Sequence, residues 1–334
     1  MNKLIYILTT AALLSCGNSG GNQQPAASPQ VQPASTATAT APATPFNADS
    51  AYQYVARQVA FGPRVPNTDA HKACARFLKS ELERHGAKVF VQEATVKAYD
   101  DTPLAIQNII GSFNPDSKDR LLLFAHWDSR PYADAEANPK DQHSPIDGAD
   151  DGASGVGVLL EIARQLGEKA PAVGVDIIFF DAEDYGKPDF VRNFKADTWC
   201  LGSQFWAKNP HIPGYTARFG ILLDMVGAKD AVFYKEYTSM RYAARYVDMI
   251  WEKARSLGYG KYFINGEGGA ITDDHQYVIS GRNIPCLDII NYDPETEKGF
   301  SDHWHTHHDN MDIIDRSTLH AVGHTVLEII YEQH

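Results

Sequence analysis

Acidic side chains and a histidine directly follow three apolar runs of this sequence. The runs span 121–125, 175–180 and 218–223, and their length and high apolar content are typical of strands buried on both faces. The polar residues that follow them are His126 and Asp128, then Glu183 and Asp184, then Asp224. Because ligands of open α/β sheets bind beyond the carboxyl ends of the strands, we expect these side chains to share one site.

Two loops add candidate metal ligands to this site. The loop 147–155 places Asp151 among glycines and other small residues before a predicted helix, where the backbone can approach a cation closely. The segment 301–310 contains four histidines, of which most must be bystanders: His303, His305, His307 and His308. Buried carboxylates repel one another and would be neutralised without a cation. Carboxylates combined with imidazole suit zinc better than magnesium or calcium, so the sequence predicts zinc.

Helical and strand patterns alternate along the rest of the chain. Apolar residues at helical spacing predict helices over 68–86, 156–166, 243–257 and 319–330. Further β-prone runs occur at 89–96, 106–113 and 284–290. This alternation predicts an α/β fold in which helices cover a sheet.

Composition narrows the class of protein. The net charge of −12 argues against nucleic acid or anionic lipid as a partner. With 43% hydrophobic and 22% charged residues, the part from 48 to 334 is predicted to be a single catalytic domain. It contains Cys74, Cys200 and Cys286, which allow at most one disulfide, so we expect buried structural cysteines and a fold that depends on its core.

The first 47 residues have the features of an export and anchoring segment. Lys3 precedes a short apolar stretch, 4–14, that is too short to span a bilayer. The following residues resemble a bacterial lipobox ending at Cys16, so 1–16 is predicted to be a lipoprotein signal segment, with an ordinary signal peptide as the alternative. Residues 17–47 carry no charge and are predicted to be a flexible tether. In similar Gram-negative lipoproteins, an aspartate at the position of Asn18 favours retention in the inner membrane. Asn18 therefore favours a periplasmic or cell-surface lipoprotein that is anchored to the outer membrane through this lipid alone.

Five motifs occur in an order that is typical of a known enzyme superfamily. They are His126-x-Asp128, the Gly148–Gly155 loop, the acidic pair Glu183-Asp184, Leu223-Asp224-Met225 and His305-Thr306. Together they resemble the zinc aminopeptidase superfamily and its offshoot, the zinc-dependent glutaminyl cyclases. The resemblance covers nearly the whole chain from about residue 50. It implies a zinc exopeptidase-like fold, a three-layer α-β-α sandwich with a mixed, mostly parallel central sheet.

The same resemblance implies roles for individual residues. Asp151, Asp184 and His305 are the implied ligands of a single zinc ion. Glu183 is the implied acid/base, and Asp273 and Asp224 are the further catalytic acids. Trp304, beside the implied ligand His305, would offer an aromatic wall for a glutamine side chain. Trp199 follows the charged loop 186–197, which could form another wall of the pocket, and is a further candidate substrate-binding residue. Both branches of the superfamily often have two glutamates where this chain has Glu183-Asp184. The implied zinc ligand Asp184 is therefore one methylene shorter than the usual glutamate and must still reach the metal.

Two activities remain open within the superfamily. The segments 221–228, 273–275 and 304–306 are similar to those of the cyclases, which convert the N-terminal glutamine of peptides or proteins to pyroglutamate and release ammonia. The alternative is an aminopeptidase that hydrolyses the first peptide bond. It would use His126 and Asp224 for a second zinc bridged through Asp151, with Asp128 as a further candidate ligand. A third hypothesis is a non-catalytic binding module stabilised by zinc. The oligomeric state is not predicted.

Overall fold

The computed structural model describes residues 41–42, 44–192 and 195–334. Cys16, the signal segment and nearly all of the tether lie outside these residues. The helices are α1 (Ala48–Val59), α2 (Asp69–Arg84), α3 (Ala153–Glu168), α4 (Leu201–Lys208), α5 (Tyr237–Ser256), α6 (Asp274–Arg282) and α7 (Arg316–Tyr331). The strands are β1 (Lys88–Lys97), β2 (Pro103–Phe113), β3 (Arg120–His126), β4 (Gly174–Phe180), β5 (Gly220–Asp224), β6 (Phe233–Lys235), β7 (Phe263–Glu267) and β8 (Cys286–Ile290).

Six of the strands form one mixed sheet in the order β1-β2-β4-β3-β5-β8. The strands from β4 to β8 in this order pair in parallel, whereas β2 pairs antiparallel with β1 and β4. Leu123 of β3 lies opposite Ile177 of β4 and Ile221 of β5. This register brings the carboxyl ends of three neighbouring strands to one edge of the sheet, and it confirms the predicted mixed, mostly parallel sheet.

Side chains of the central strands alternate between two apolar layers. Leu123 belongs to the larger core, which includes residues of α1, α2, α3, α5 and α7. Phe124, its neighbour in sequence, belongs to a smaller core with Trp206 of α4 and Val278 of α6. Both faces of the sheet are therefore covered, which explains why apolar residues predominate on both faces of these strands. The predicted three-layer α-β-α sandwich is confirmed.

The predicted elements are present, with ends displaced by a few residues. The helix predicted over 68–86 begins at Asp69, where the Thr68 side chain caps it, and Gly86 follows its end with a φ of +85°. The strand predicted from 218 begins at Gly220. Helices α1, α4 and α6 were not predicted. Helices α4 and α6 have only eight and nine residues, too few to show a long apolar stripe.

The chain turns sharply after two of the central strands. Ala182, two residues beyond β4, has a φ of +53°, and Met225, directly after β5, has a φ of +48°. Residues with a Cβ rarely adopt this left-handed conformation, so the surrounding packing must hold it. These turns direct Glu183 and Asp224 to the sheet edge where β3 ends in His126.

Within the described ranges, Cys74, Cys200 and Cys286 are free and buried, which confirms the expectation of buried structural cysteines. No helix in those ranges combines the length and the apolarity that a membrane crossing requires.

Candidate active site

Three elements bring two carboxylates and an imidazole together at the edge of the sheet. Asp151 lies in the loop before α3, Asp184 follows β4, and His305 lies in the loop before α7. One ligand atom from each lies within 4.8 Å of the others, and His305 Nε2 is 3.3 Å from Asp184 Oδ1 and 3.6 Å from Asp151 Oδ2. Asp184 Oδ2 is buried without a hydrogen-bond partner in the described chain. This donor set fits zinc.

The loop that carries Asp151 is held by a carboxylate from the other end of the chain. Asp309 accepts hydrogen bonds from the backbone N–H groups of Asp150 at 2.7 Å and Asp151 at 3.1 Å. Gly152 has a φ of +98°, and a Cβ at this position would lie 2.3 Å from the Asp128 carbonyl oxygen. Glycine is therefore required here for both conformation and space.

Asp128 holds the turn that carries Glu183 and Asp184. Its Oδ1 accepts from the Glu183 N–H at 3.0 Å, and its Oδ2 accepts from the Asp184 N–H at 3.1 Å. It belongs to none of the candidate metal-binding groups among the described residues. Asp128 therefore has a positioning role toward this turn, because both of its oxygens accept backbone hydrogen bonds; its assignment as a further candidate ligand stays a prediction.

A buried ion pair orients the His305 ring. Asp134 Oδ1 lies 3.3 Å from His305 Nδ1, so Nε2 faces the two acids. Arg130 donates to both oxygens of Asp134 at 2.6 Å and to the Asp184 carbonyl oxygen at 2.9 Å. Although burial alone would raise it, the pKa of Asp134 is held well below its usual range by the hydrogen bonds from Arg130 and His305. An anionic Asp134 supports the ligand on the side away from the metal site.

Aromatic rings enclose the same histidine. Trp304 stacks on His305 with the ring centroids 3.6 Å apart, and Phe300 stacks on Trp304 at 4.5 Å. Trp199 is nearly parallel to the His305 ring at 5.9 Å. The two tryptophans singled out from the sequence therefore lie beside the candidate zinc ligand, where they exclude water from one side of it.

Glu183 and Asp273 form a second acidic group beside the metal ligands. One ligand atom each from Glu183, Cys200 and Asp273 lies within 4.8 Å of the others, and the Cys200 thiol donates to Glu183 Oε1 at 3.1 Å. Burial is the main cause that raises the pKa of Glu183 well above its usual value and that of Asp273 to about 7. Burial likewise raises the pKa of Asp224 to about 6. Carboxyls with pKa values near neutrality are suited to both accept and donate protons.

His126 lies between two of the acids. Its Nε2 is 3.0 Å from Asp151 Oδ1 and 3.2 Å from Asp224 Oδ1. One ligand atom each from His126, Asp151 and Asp224 lies within 4.8 Å of the others, so these three residues could also hold a metal ion. The geometry therefore provides two candidate ligand sets that share Asp151.

These groups surround a cavity of about 340 Å³. Its acidic part is formed by Asp151, Glu183, Asp184, Asp224 and Asp273 together with His305. Its apolar part is formed by Trp199, Met225, Ile271, Ile290, Tyr292, Phe300 and Trp304. The cavity thus combines an acidic end with an aromatic wall. All the residues proposed from the sequence for catalysis, zinc binding and substrate binding line the cavity, whereas His126 and Asp128 do not.

Several supporting residues were not recognised in the sequence. Arg64 is fully buried and donates to the carbonyl oxygens of Trp127, Asp147 and Gly148, which ties the end of β3 to the loop of Asp151. Neither Arg64 nor Asp309 belongs to a periodic pattern or motif, so no local signal identifies them. The expectation that most histidines of 301–310 are bystanders agrees with their contacts: His303 pairs with Asp150, and His307 contacts Glu136 at the surface.

Comparisons with known proteins agree with this arrangement. Residues 108–330 match the model of peptidase family M28. A crystal structure of Tannerella forsythia glutaminyl cyclase is 66% identical over 87% of this chain and 100% of that chain, with a TM-score of 0.86. A Zn-dependent exopeptidase from Parabacteroides distasonis is 68% identical over 87% of this chain and 99% of that one, also with a TM-score of 0.86.

A more distant relative extends the similarity to animals. The glutaminyl-peptide cyclotransferase of Bos taurus is 28% identical over 285 residues, which cover 77% of this chain and 74% of the relative. The chain belongs to peptidase family M28, within the group that includes the bacterial glutaminyl cyclases.

Proposed function

We propose that this protein is a zinc-dependent glutaminyl-peptide cyclotransferase, which converts the N-terminal glutamine of peptides or proteins to pyroglutamate and releases ammonia. The observation that carries this proposal is the pair of buried carboxyls, Glu183 and Asp273, beside a zinc-type ligand set at the end of an aromatic-walled cavity. Cyclisation requires one group to move a proton from the α-amine to the departing nitrogen and a second group to hold that nitrogen. The similarity to the Tannerella enzyme supports the same activity.

Asp151, Asp184 and His305 would hold one zinc ion per chain. When bound, the ion supplies Lewis acidity toward the γ-carbonyl of the substrate glutamine. We propose a single ion, because this is the count that the resemblance of Asp151, Asp184 and His305 to the ligands of the zinc-dependent cyclases implies. Metal analysis of the purified protein should therefore give one zinc per chain.

The remaining steps use protein side chains. Glu183 accepts a proton from the α-amine as the nitrogen attacks the γ-carbonyl, and it then returns the proton to the leaving ammonia. Its raised pKa makes it a sufficiently strong base for the first transfer and still a competent acid for the second. Asp273 and Asp224 accept hydrogen bonds from the amine and the leaving nitrogen, and Trp304 packs against the glutamine side chain.

The main alternative is an aminopeptidase with the same base. It is favoured by the second ligand group, His126 with Asp151 and Asp224, and one of the similar structures is called a Zn-dependent exopeptidase. Incubation with a peptide that begins with glutamine separates the two activities. The cyclase releases ammonia and leaves a peptide lighter by one ammonia, whereas an aminopeptidase releases free glutamine, a result that would exclude the proposed function.

Substitution of the proposed general base, Glu183, tests whether the site is catalytic. Glu183→Gln keeps the shape of the side chain but cannot accept a proton, so we expect the rate of ammonia release to fall by about 10²–10⁴-fold. Glu297→Gln is the matched control, because Glu297 is exposed and should have no effect. Full activity of Glu183→Gln would instead support a zinc-stabilised binding module.

We also propose that Cys16 carries a lipid that anchors the protein to the outer membrane, facing the periplasm or the cell surface. The support is the residue pattern before Cys16 and the uncharged segment after it. Expression of the full chain in a Gram-negative host should place it in the membrane fraction, and Cys16→Ala should release it. Unchanged membrane association of the variant would contradict the proposal.

A further inference from the structure

Lys298 lines the catalytic cavity and is the only lysine or arginine among the described residues that do so. It is exposed to solvent. Lys298 is not among the lysines that form ion pairs in the described chain, which are Lys72, Lys79, Lys195, Lys235 and Lys253. A positive charge without a carboxylate partner therefore lies at the edge of a cavity whose other charged groups are mainly acidic.

A closed loop after β8 fixes the backbone beside Lys298. The Asp293 N–H donates to the Gly299 carbonyl oxygen at 2.7 Å, and the Gly299 N–H donates to Thr296 Oγ1 at 3.0 Å. Gly299 has a φ of +75°, and a Cβ at this position would lie 2.2 Å from the Tyr292 ring. Glycine is therefore needed where the loop closes. Because both peptide groups that follow Lys298 are engaged, its Cα has a defined position at the cavity.

The loop leads directly into the aromatic wall of the cavity. Phe300 stacks on Trp304 with the ring centroids 4.5 Å apart. The carboxyls of Glu183 and Asp273, by contrast, are buried. The cavity thus has a buried acidic end and an exposed rim that carries Lys298. A peptide whose α-amine reaches the buried end must pass its following residues along this rim.

Two glutamates of the same loop are weaker partners for Lys298 than a bound substrate would be. Glu295 and Glu297 are exposed and do not line the cavity. Pairing between two exposed, mobile side chains contributes little, because both must be ordered. An acidic side chain of a bound peptide is already held near Lys298 by the rest of the substrate, so the entropic cost of pairing is smaller.

We propose that Lys298 determines substrate preference by pairing with an aspartate or glutamate directly after the N-terminal glutamine. The preferred substrates are therefore peptides or proteins that begin with glutamine followed by an acidic residue. This inference rests on the proposed cyclase function and names the substrate class of the same site. Lys298 contacts substrate but takes no part in proton transfer, and its expected effect is about 2- to 5-fold, as for the stronger exposed ion pairs.

Two C-terminally amidated peptides, Gln-Glu-Ala-Ala and Gln-Gln-Ala-Ala, test this preference because they differ only in one charge. At low salt, kcat/KM for ammonia release by the wild type should be about 2- to 5-fold higher for the acidic peptide, and the preference should shrink at high salt. Lys298→Met should abolish the preference, and Lys298→Glu should reverse it. Lys118→Met is the matched control and should keep the wild-type ratio, because Lys118 is exposed and precedes β3, at the opposite edge of the sheet.

Equal kcat/KM for the two peptides in the wild type, or an unchanged preference in Lys298→Met, would overturn the inference and leave the cyclase function intact. Release of free glutamine in place of ammonia would instead contradict the cyclase function. Binding of the corresponding pyroglutamyl peptides, followed by tryptophan fluorescence, measures the contact with Lys298 without catalysis. In the wild type, Kd should be about 2- to 5-fold lower for the acidic peptide, and the two values should be equal in Lys298→Met. Equal values in the wild type would contradict the contact.

Discussion

The carboxylate of Asp128 offers a sharp test of how the base and a metal ligand are positioned. In Asp128→Asn, the amide oxygen can accept one of the two backbone N–H groups, at Glu183 or Asp184, but the amide NH₂ faces the other. Hydrogen bonds to a charged group contribute roughly 1.5–3 kcal/mol, and an unsatisfied buried donor costs about 1–3 kcal/mol. We therefore expect the free energy of unfolding to fall by about 2–4 kcal/mol.

That loss corresponds to a decrease in melting temperature of about 3–7 °C, because the unfolding entropy of a domain of roughly 290 residues is about 0.6 kcal/mol/K. Activity should fall more steeply than stability suggests, by about 100-fold in kcat, because the turn carries the base directly and small displacements of reacting groups are costly. The measurements are thermal unfolding of the zinc-loaded protein and initial rates of ammonia release at a temperature where the variant is fully folded.

Asp116→Asn is the matched control, because it makes the same chemical change at an exposed position. This control should alter neither the melting temperature nor kcat. If Asp128→Asn had the melting temperature and kcat of wild type, the two backbone contacts would not hold the turn, and our account of the site would be wrong. A loss of stability without a loss of kcat would restrict Asp128 to folding.

Three further predictions concern neighbouring residues. Cys200→Ala should lower kcat by about 2- to 10-fold through loss of the thiol contact to Glu183, whereas Cys200→Ser should retain most of the wild-type kcat. Equal values of kcat in the two variants would contradict a role for this contact. Gly152→Ala should weaken zinc binding, measured against a competing chelator, because the new Cβ collides with the Asp128 carbonyl; wild-type affinity would refute the clash. In the metal-free protein, folding stability should fall as pH rises from about 4 to about 7, because the folded state binds the Asp273 proton more tightly than the unfolded state. Urea unfolding of Asp273→Asn should show a shallower fall, and an identical pH dependence would argue against the raised pKa.

Much of the fold could be predicted because local periodicity reflects burial. Strand β3 is apolar at every position from Leu121 to Ala125 because both faces of the sheet are covered by helices. The polar residues after β3, β4 and β5 marked the functional edge, because the carboxyl ends of parallel strands meet at one edge of the sheet. Helix α6 was missed because only its Val278 and Ile279 are buried apolar residues, too few to produce a helical pattern.

The role of Asp128 shows the limit of a residue-by-residue interpretation. Its position after β3 and its place in a motif identified it as functional, but a carboxylate can bind a metal or accept backbone hydrogen bonds equally well. The choice depends on the direction of the turn after β4, which the left-handed Ala182 sets. No property of Asp128 in the sequence contains that information.

The sequence by itself determined the chemistry of the site: the residue types at the strand ends, the histidine segment, and the family to which their order belongs. These features are local, and each is decided by a few neighbouring positions. Only the tertiary structure decided which groups support them. Asp309 holds a loop 159 positions earlier in the chain, and Asp288 lies close to Asp273 because α6 packs against β8. Such contacts depend on strand order and packing, which bring distant residues together without leaving a periodic pattern in the sequence.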